Sequence, residues 1–325
     1  MDNISEYWVG FDLGGTKMLS ATFDDDFNLL SREKKRTKAI DGTKSVLDRI
    51  VENIEKSIEK ADLSKSTLKG LGIGVPGTID LESGVVIEAP NLGWENINLK
   101  KILEDRFECP VVLCNDVDAG MYGEYTAGAA RGSYCSVGIF PGTGVGGGCV
   151  WDGKLIQGRR RTAMEVGHIQ LYSGGQMDGA ENIGTLETIS SRLAIAAASA
   201  QAVFRGAAPH LKEEAGTDIS NIRSGTLATA IKKGDQSIEK IVKNAVEYIG
   251  TMVVTLVHLF SPDRVVIGGG LAEAMPEIFV KETKRIADSK VLVSFRDTFD
   301  VVEAELGDDA AIIGAASWAK QSINS

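Results

Sequence analysis

The sequence predicts an α/β protein built from two related halves, and three observations lead to that expectation. A strand, a glycine turn and a second strand open the chain in "YWVGFDLGGTKMLSATFD". The same pattern returns about 128 residues later in "SYCSVGIFPGTGVGGGCVWDGKLI". A repeat on that scale, with different residues in the turn, suggests paired α/β halves rather than a solenoid. Stretches of helical period follow each pair of strands, and 325 residues supply material for a core in each half.

The remaining elements follow in chain order. In "TKSVLDRIVENIEKSIEKA", Leu47, Ile50, Val51, Ile54 and Ile58 keep helical spacing. "LKGLGIGVPGTID" reads as a buried strand entering a Gly/Pro loop, and "CPVVLCND" as a short apolar strand ending on Asn115 and Asp116. In the second half, helices are expected near 186–204 and 237–260. The strand "RVVIGGG" then enters a glycine turn, with a helix beginning near Ala272. Strands "KVLVSF" and "FDVVEAEL" and a helix in "DDAAIIGAASWAKQ" close the chain. No low-complexity linker separates the halves, so a hinge rather than a tether is expected between them.

Composition excludes several function classes. Hydrophobic residues make up 43% of the chain, and mean hydropathy is close to zero, as in soluble globular proteins. The net charge is −10, from 35 Lys+Arg against 45 Asp+Glu. With no strong basic block, the chain does not read as a nucleic-acid binder. The N-terminus has no apolar signal region, and "MVVTLVHLF" is about half the length that spans a membrane. Cys109, Cys114, Cys135 and Cys149 are scattered without a CxxC pair, the pattern of reduced, packed thiols in a cytoplasmic protein. Glycine, at 37 residues, is roughly half again above average usage, which suits close backbone approach to phosphate.

Two glycine turns carry the candidate chemistry. "GTGVGGG" contains a formal GxGxxG, but a dinucleotide site requires a helix directly after it, and here another strand follows. "DLGGTK" fails the P-loop spacing. The two turns, Gly14-Gly15-Thr16-Lys17 and Gly142-Thr143-Gly144, each read alone as a plain hairpin or as a phosphate cradle. A third turn, in "VVIGGGLAE", favours the cradle.

The segments "DLGGTK", "NDVDAG", "GTGVGGG", "VVIGGGLA" and "DDAAIIGAA" stand in the order of the five signature segments of the actin-like ATPase and sugar-kinase superfamily. Within it, "GVPGTID", "APNLGW" and "EVGH" resemble the ROK family of sugar kinases, close to its bacterial glucokinases. The resemblance covers residues 8 to about 316. It implies two actin-like (ribonuclease H-like) α/β domains around a central cleft that closes on sugar. The expected division is a small domain over 1–116, a large one over 117–307, and a C-terminal helix, 308–325, packed back onto the first.

The resemblance also implies roles. Asp116 is the general base that takes the proton of the sugar's primary hydroxyl, and its neighbour Asn115 contacts the sugar. Asn91 is a further sugar contact. Glu165, His168 and Glu187 match the family's sugar-binding "ExGH" and "xLE" residues. Asp12 holds Mg²⁺ through water, since that ion keeps much of its hydration shell. Gly14, Gly15, Thr16, Gly142, Thr143 and Gly144 face the phosphates of ATP, with Lys17 as a phosphate partner or a solvated hairpin-end lysine. Gly269 and Gly270 pack against the adenosine. Homodimers are common in the family.

Two departures stand out. Most ROK proteins hold zinc in this loop through the "GH" histidine and three cysteines. The spacing from His168 to Glu187 matches the family's, yet the cysteine positions fall on Asp178, Ala180 and Thr185. Structural zinc wants four nitrogen or sulfur ligands, so no zinc is expected. In "GRRRTAMEVGH", Arg161 and Met164 stand where the family more often has glycine, which opens the identity of the sugar. The expected reaction is ATP-dependent phosphorylation of a hexose, glucose first, at the 6-hydroxyl. Mannose, fructose or an N-acetylhexosamine are alternative acceptors, and polyphosphate an alternative donor. A silent sugar sensor is a different class, though Asp12, Asn115 and Asp116 are all retained. The family's repressors carry a DNA-binding domain before the kinase fold, and "DLGGTK" begins at residue 12, so a repressor is not expected.

Overall fold

The computed structural model describes residues 6–159 and 163–324. Arg161 therefore lies outside the described residues. The chain forms two compact units. One comprises Met1–Arg131, Leu155–Ala163 and Asp308–Ser325, the other Gly132–Lys154 and Met164–Gly307.

The first unit opens with β1 (Tyr7–Leu13), β2 (Lys17–Phe23) and β3 (Leu29–Arg36), followed by helix α1 (Thr43–Lys60) and β4 (Leu68–Val75). A small sheet of β5 (Thr78–Asp80), β6 (Val85–Ala89) and β7 (Trp94–Asn98) leads to α2 (Leu99–Phe107), β8 (Val111–Asn115) and α3 (Asp116–Ala127). The main sheet runs β3-β2-β1-β4-β8. Its first three strands are antiparallel, and β4 and β8 join in parallel. Apart from Asp12 near its end, β1 is apolar because both its faces are covered. Val9 and Phe11 join the core formed with Val46, Ile50, Ile54 and Ile58 of α1, while Trp8 packs with Leu19, Ala21, Ile312 and Ala316. Leu47 and Val51 stand at the margin of that helix's apolar stripe, partly buried.

The C-terminal helix, Ala310–Ile323, lies in this unit. It rests so closely on the sheet and on α3 that backbone meets backbone. A methyl group added at Gly72 would sit 1.8 Å from the carbonyl oxygen of Ala315, and one at Gly314 would sit 1.7 Å from that of Ala119. Much of the glycine excess thus serves packing, not phosphate. The same contact keeps α3 with the first unit, which runs past Asp116 to Arg131.

The second unit repeats the plan. β9 (Cys135–Pro141) and β10 (Val145–Trp151) form an antiparallel hairpin, followed by β11 (Lys154–Leu155), at which the chain leaves this unit. Helices α4 (Glu187–Ser190), α5 (Arg192–Phe204), α6 (Pro209–Ala215), α7 (Ser224–Lys233) and α8 (Gln236–Phe260) come next. Then follow β12 (Arg264–Ile267), α9 (Gly269–Ala274), α10 (Glu282–Lys290), β13 (Asp300–Glu303) and the C-terminal helix, α11. The sheet order, β11-β10-β9-β12-β13, has the same plan as the first, with β12 parallel to both β9 and β13. The internal repeat is therefore structural: a hairpin, a third strand on its far side, then two parallel strands.

Two local expectations are corrected. The helix over 186–204 is two helices, because Ser191 adopts an extended backbone and its Oγ accepts the Ala194 N–H, capping α5. "KVLVSF" is not a strand. Lys290 ends α10 and Val293–Phe295 form a 3₁₀ turn. Leu292 and Val293 are exposed, and the Leu292 N–H donates to His258 Nε2. The place beside β12 is taken by β13, the next strand in the chain.

Candidate functional site

In the first unit the C-terminal ends of three parallel strands lie side by side. Asp12 of β1 is paired with Gly74 of β4, and Val75 with Asn115 of β8. Strand ends of this kind are where open α/β sheets bind ligands. Asn115 caps α3, its Oδ1 accepting the N–H of Val117 at 2.9 Å and of Asp118 at 3.4 Å. Asp116 Oδ1 takes the Val117 N–H as well, at 3.0 Å, which anchors one carboxylate oxygen and leaves Oδ2 for other chemistry.

The two acids of this edge are coupled. Burial raises the Asp116 pKa, and the backbone N–H of Val117 pulls it partway back. Asp12 is pushed up to about 7, first by burial and then by the charge of Asp116, with Lys17 opposing. Both carboxyls are thus shifted in the same direction, and a negative charge on Asp116 favours the proton on Asp12.

The adjoining hairpin turn is pinned by buried Thr37, whose Oγ1 donates to the Gly14 carbonyl at 2.5 Å and whose N–H donates to that of Thr16 at 2.9 Å. Asn91 is brought to the same turn: a methyl at Gly15 would lie 3.2 Å from its Cβ. Thr16 is exposed. Lys17 is occupied, with Nζ 2.6 Å from both carboxylate oxygens of Asp308. To meet a phosphate it must exchange that partner.

In the second unit the turn between β9 and β10 is held from three sides. The Gly142 N–H donates to the Gly144 carbonyl at 2.9 Å, and the Arg192 N–H donates to that of Gly142 at 2.8 Å. The Arg192 guanidinium donates to Thr143 Oγ1 at 3.0 Å. Glu187, at the first position of α4, accepts the Val145 N–H on Oε2 at 2.9 Å. Gly144 lies tight against that carboxylate: a methyl there would come within 2.2 Å of the oxygen and displace the Glu187 side chain. Gly269 holds a left-handed φ of 78° and packs against Pro141, so the third glycine turn adjoins this hairpin. A cavity of about 700 Å³, lined by Arg192, Leu193, Ile219, Arg223, Ser224 and Gly270 among others, opens there. Its volume suits a nucleotide-sized ligand.

The loop from Glu165 to Glu187 is the most unusual part. Met164 has φ 68°, left-handed backbone that costs a non-glycine residue of order 1 kcal/mol or more. Glu165 and His168 are exposed. The His168 ring Nδ1 meets Asp178 Oδ2 at 2.8 Å, and Thr185 Oγ1 donates to the same oxygen at 3.1 Å. Burial lowers the His168 pKa, but Asp178, Glu187 and Glu165 outweigh it and the net direction is up. Asp178 moves the other way: burial raises it, yet His168 and the surrounding donors hold it at about 2. The three positions of the family's zinc cysteines therefore carry a carboxylate that gathers donors, a methyl group and a hydroxyl that donates to that carboxylate.

The structure thus gathers Asp12, Gly14, Gly15, Asn91, Asn115 and Asp116 at one edge of the first unit. It gathers Gly142, Thr143, Gly144, Glu187 and Gly269 around one turn of the second. Four participants escaped sequence reasoning: Thr37, Asp178, Arg192 and Asp308. Asp178 carried a signal, since it stands at a zinc-cysteine position. Asp308 opens the segment "DDAAIIGAA" but was given no role, and Thr37 and Arg192 look in sequence like ordinary surface residues. Among the described residues no helix is long and apolar enough to cross a membrane.

Residues 8–322 match the sequence model of the ROK family. The chain is 33% identical over 316 residues to a glucokinase of Thermotoga maritima, covering 97% of this chain and 98% of that one. It is similar to the solved ROK family glucokinase of Streptomyces griseus in complex with glucose and AMPPNP, with a TM-score of 0.81 and 28% identity over 97% of this chain and 99% of that one. It is also 29% identical to a xylose repressor of Caldicellulosiruptor bescii, over 94% of this chain and 76% of the repressor.

Proposed function

Because the chain belongs to the ROK family, we propose that it is an ATP-dependent hexose kinase that transfers the γ-phosphate to the 6-hydroxyl of glucose or a closely related sugar. The observation that carries this reading is the acid pair at the edge of the first sheet. Asp116 has one oxygen fixed by a backbone N–H, the other available, and an affinity for protons raised by burial. Those are the attributes of a general base for a hydroxyl. A likeness to a glucokinase solved with glucose and an ATP analogue supports both substrates.

In this reading the sugar's 6-oxygen attacks the γ-phosphorus as its proton passes to Asp116. The bond to the bridging oxygen of the donor breaks, and ADP leaves with the electron pair. Little covalent chemistry is asked of the protein, so positioning dominates. Glu165, His168 and Glu187 hold the sugar's other hydroxyls, together with Asn91 and Asn115. Such a site rejects analogues that lack those hydroxyls. The turns at Gly14–Thr16 and Gly142–Gly144 receive the phosphates, with Arg192 beside Thr143 as an added cation. Gly269 and Gly270 flank the adenosine.

The coupled carboxylates fit a divalent cation, because a buried acid pair with one member raised to about 7 is relieved by positive charge. Mg²⁺ takes one or two carboxylates and keeps its waters, so Asp12 would hold it. Bound there, it neutralises charge on the donor's phosphates.

The test is coupled ADP release with glucose, mannose, fructose and N-acetylglucosamine, and with polyphosphate as an alternative donor. ATP with glucose is expected to give the highest kcat/KM, with phosphorus NMR placing the phosphate on oxygen 6. Sugar binding without any hexose-dependent ADP release would favour the sensor reading, to which the likeness to a repressor points.

A further inference from the structure

We propose that Asp178 is the positioning residue of the sugar site, its Oδ2 fixing the direction and tautomer of His168 while tying the start of the loop to Thr185 at its end. The proposal rests on the reading of His168 as a sugar ligand.

The Asp178 side chain has no solvent exposure, although its loop lies at the surface. The loop itself encloses the carboxylate. All its acceptor positions are used. Oδ1 accepts the N–H groups of Ala180 and Asn182, both at 2.9 Å. Oδ2 takes His168 Nδ1 at 2.8 Å and the Thr185 hydroxyl at 3.1 Å. The two oxygens therefore do different jobs. Oδ1 alone builds the turn over 178–182, which the Asp178 N–H closes by donating to the Asn182 carbonyl at 2.8 Å. A residue needed only for that turn would have no use for Oδ2. Yet Oδ2 carries both long-range contacts, one to each leg of the loop.

The consequence for His168 is chemical. Facing an acceptor-only carboxylate, Nδ1 must carry a hydrogen, so the outward Nε2 of the neutral ring is an acceptor for a sugar hydroxyl. Partners of this kind, one step removed from the ligand, fix ring orientation and at metal sites contribute about 10–100-fold. Thr185 is two residues before Glu187, and the legs are joined again by bridges between Gln170 and Thr185 and between Met177 and Ile183. Glu187 itself is anchored elsewhere, on the Val145 N–H. Losing Oδ2 should therefore disorient His168 and spare the phosphate turn.

Asp178→Asn separates these roles, because the amide keeps the oxygen that builds the turn and replaces Oδ2 with a donor. The variant is compared with His168→Ala and the double variant, using the hexose that gives wild type its highest kcat/KM. Asp178→Asn is expected to melt near wild type, to raise the sugar KM about 10-fold or more, and to leave the ATP KM within about twofold. In the His168→Ala background it should add nothing. Asp178→Ala, which also breaks the turn, should lower the melting temperature as well. A wild-type sugar KM for Asp178→Asn, an equal rise in both KM values, or the same increment without His168 would each overturn the proposal. If His168→Ala leaves the sugar KM unchanged, His168 is not a sugar ligand and both readings fall. If it raises the sugar KM and Asp178→Asn does not, only this proposal falls.

Discussion

Asp12→Asn should make the metal-free protein more stable, and the gain should grow with pH. Asp12 is held protonated up to about 7, against an ordinary 3.8, by burial and by the charge of Asp116. Between those values the folded chain keeps a proton that the unfolded chain has released. Stability therefore falls as pH rises through the window, and the full cost is present above about 7. At 1.36 kcal/mol per pH unit the cost is roughly 4 kcal/mol. Partial exposure of Asp12 and its coupling to Asp116 trim that to roughly 2–4 kcal/mol. The Asn variant has no charge to bury and presents a donor towards Asp116. Urea unfolding in EDTA follows the first unit well, because Trp8, Trp94 and Trp318 lie in it and only Trp151 in the second. The variant should exceed wild type clearly at pH 8 and much less at pH 5. Mg²⁺ with nucleotide should narrow the gap, since only wild type gains from the ion. Equal stability at pH 8, or a gain independent of pH, would refute the argument.

Other expectations follow from the same geometry. Mg²⁺ and a proton compete for Asp12, so the Mg²⁺ concentration giving half-maximal ADP release should rise up to about tenfold per pH unit below about 7. A flat Mg²⁺ requirement from pH 5.5 to 8 would contradict this. Gly314→Ala drives a methyl into the Ala119 carbonyl. It should cost about 1–3 kcal/mol or more, visible as a melting temperature several degrees lower, and should reduce kcat by shifting α3. Glu187→Ala strands the Val145 N–H at the phosphate turn, so sugar and ATP KM should both rise. A change confined to the sugar KM would detach Glu187 from that turn.

Much of the fold was legible because its signals are local. β1, β4 and β9 are apolar runs buried on both faces, and the two glycine hairpins mark the start of each half. β3 was not read as a strand: "LLSREKKR" is charged and alternately exposed, as an edge strand is. The misreading of "KVLVSF" has the opposite cause, since its residues favour strands but its backbone turns at Val293–Phe295 and β13 takes the place beside β12. At the site, the order of the five segments led to Asp12, Asn115, Asp116 and the turns. Their partners were not legible, because they depend on which loops fold together. Lys17 meets Asp308 from the far end of the chain, and Arg192 reaches Thr143 only because Ser191 breaks the helix before it. His168 is the middle case. Its loop spacing argued for the ligand, while only the folded loop reveals the carboxylate behind it.

The most direct test of the central claim pairs wild type with Asp116→Asn in hexose-dependent ADP release, with sugar binding followed separately by calorimetry. The account predicts phosphorylation of a hexose by wild type, a fall in kcat of about 10²–10⁴-fold in the variant, and sugar affinity within a few-fold of wild type. Near-normal kcat in Asp116→Asn, or no hexose-dependent ADP release by wild type, would contradict it.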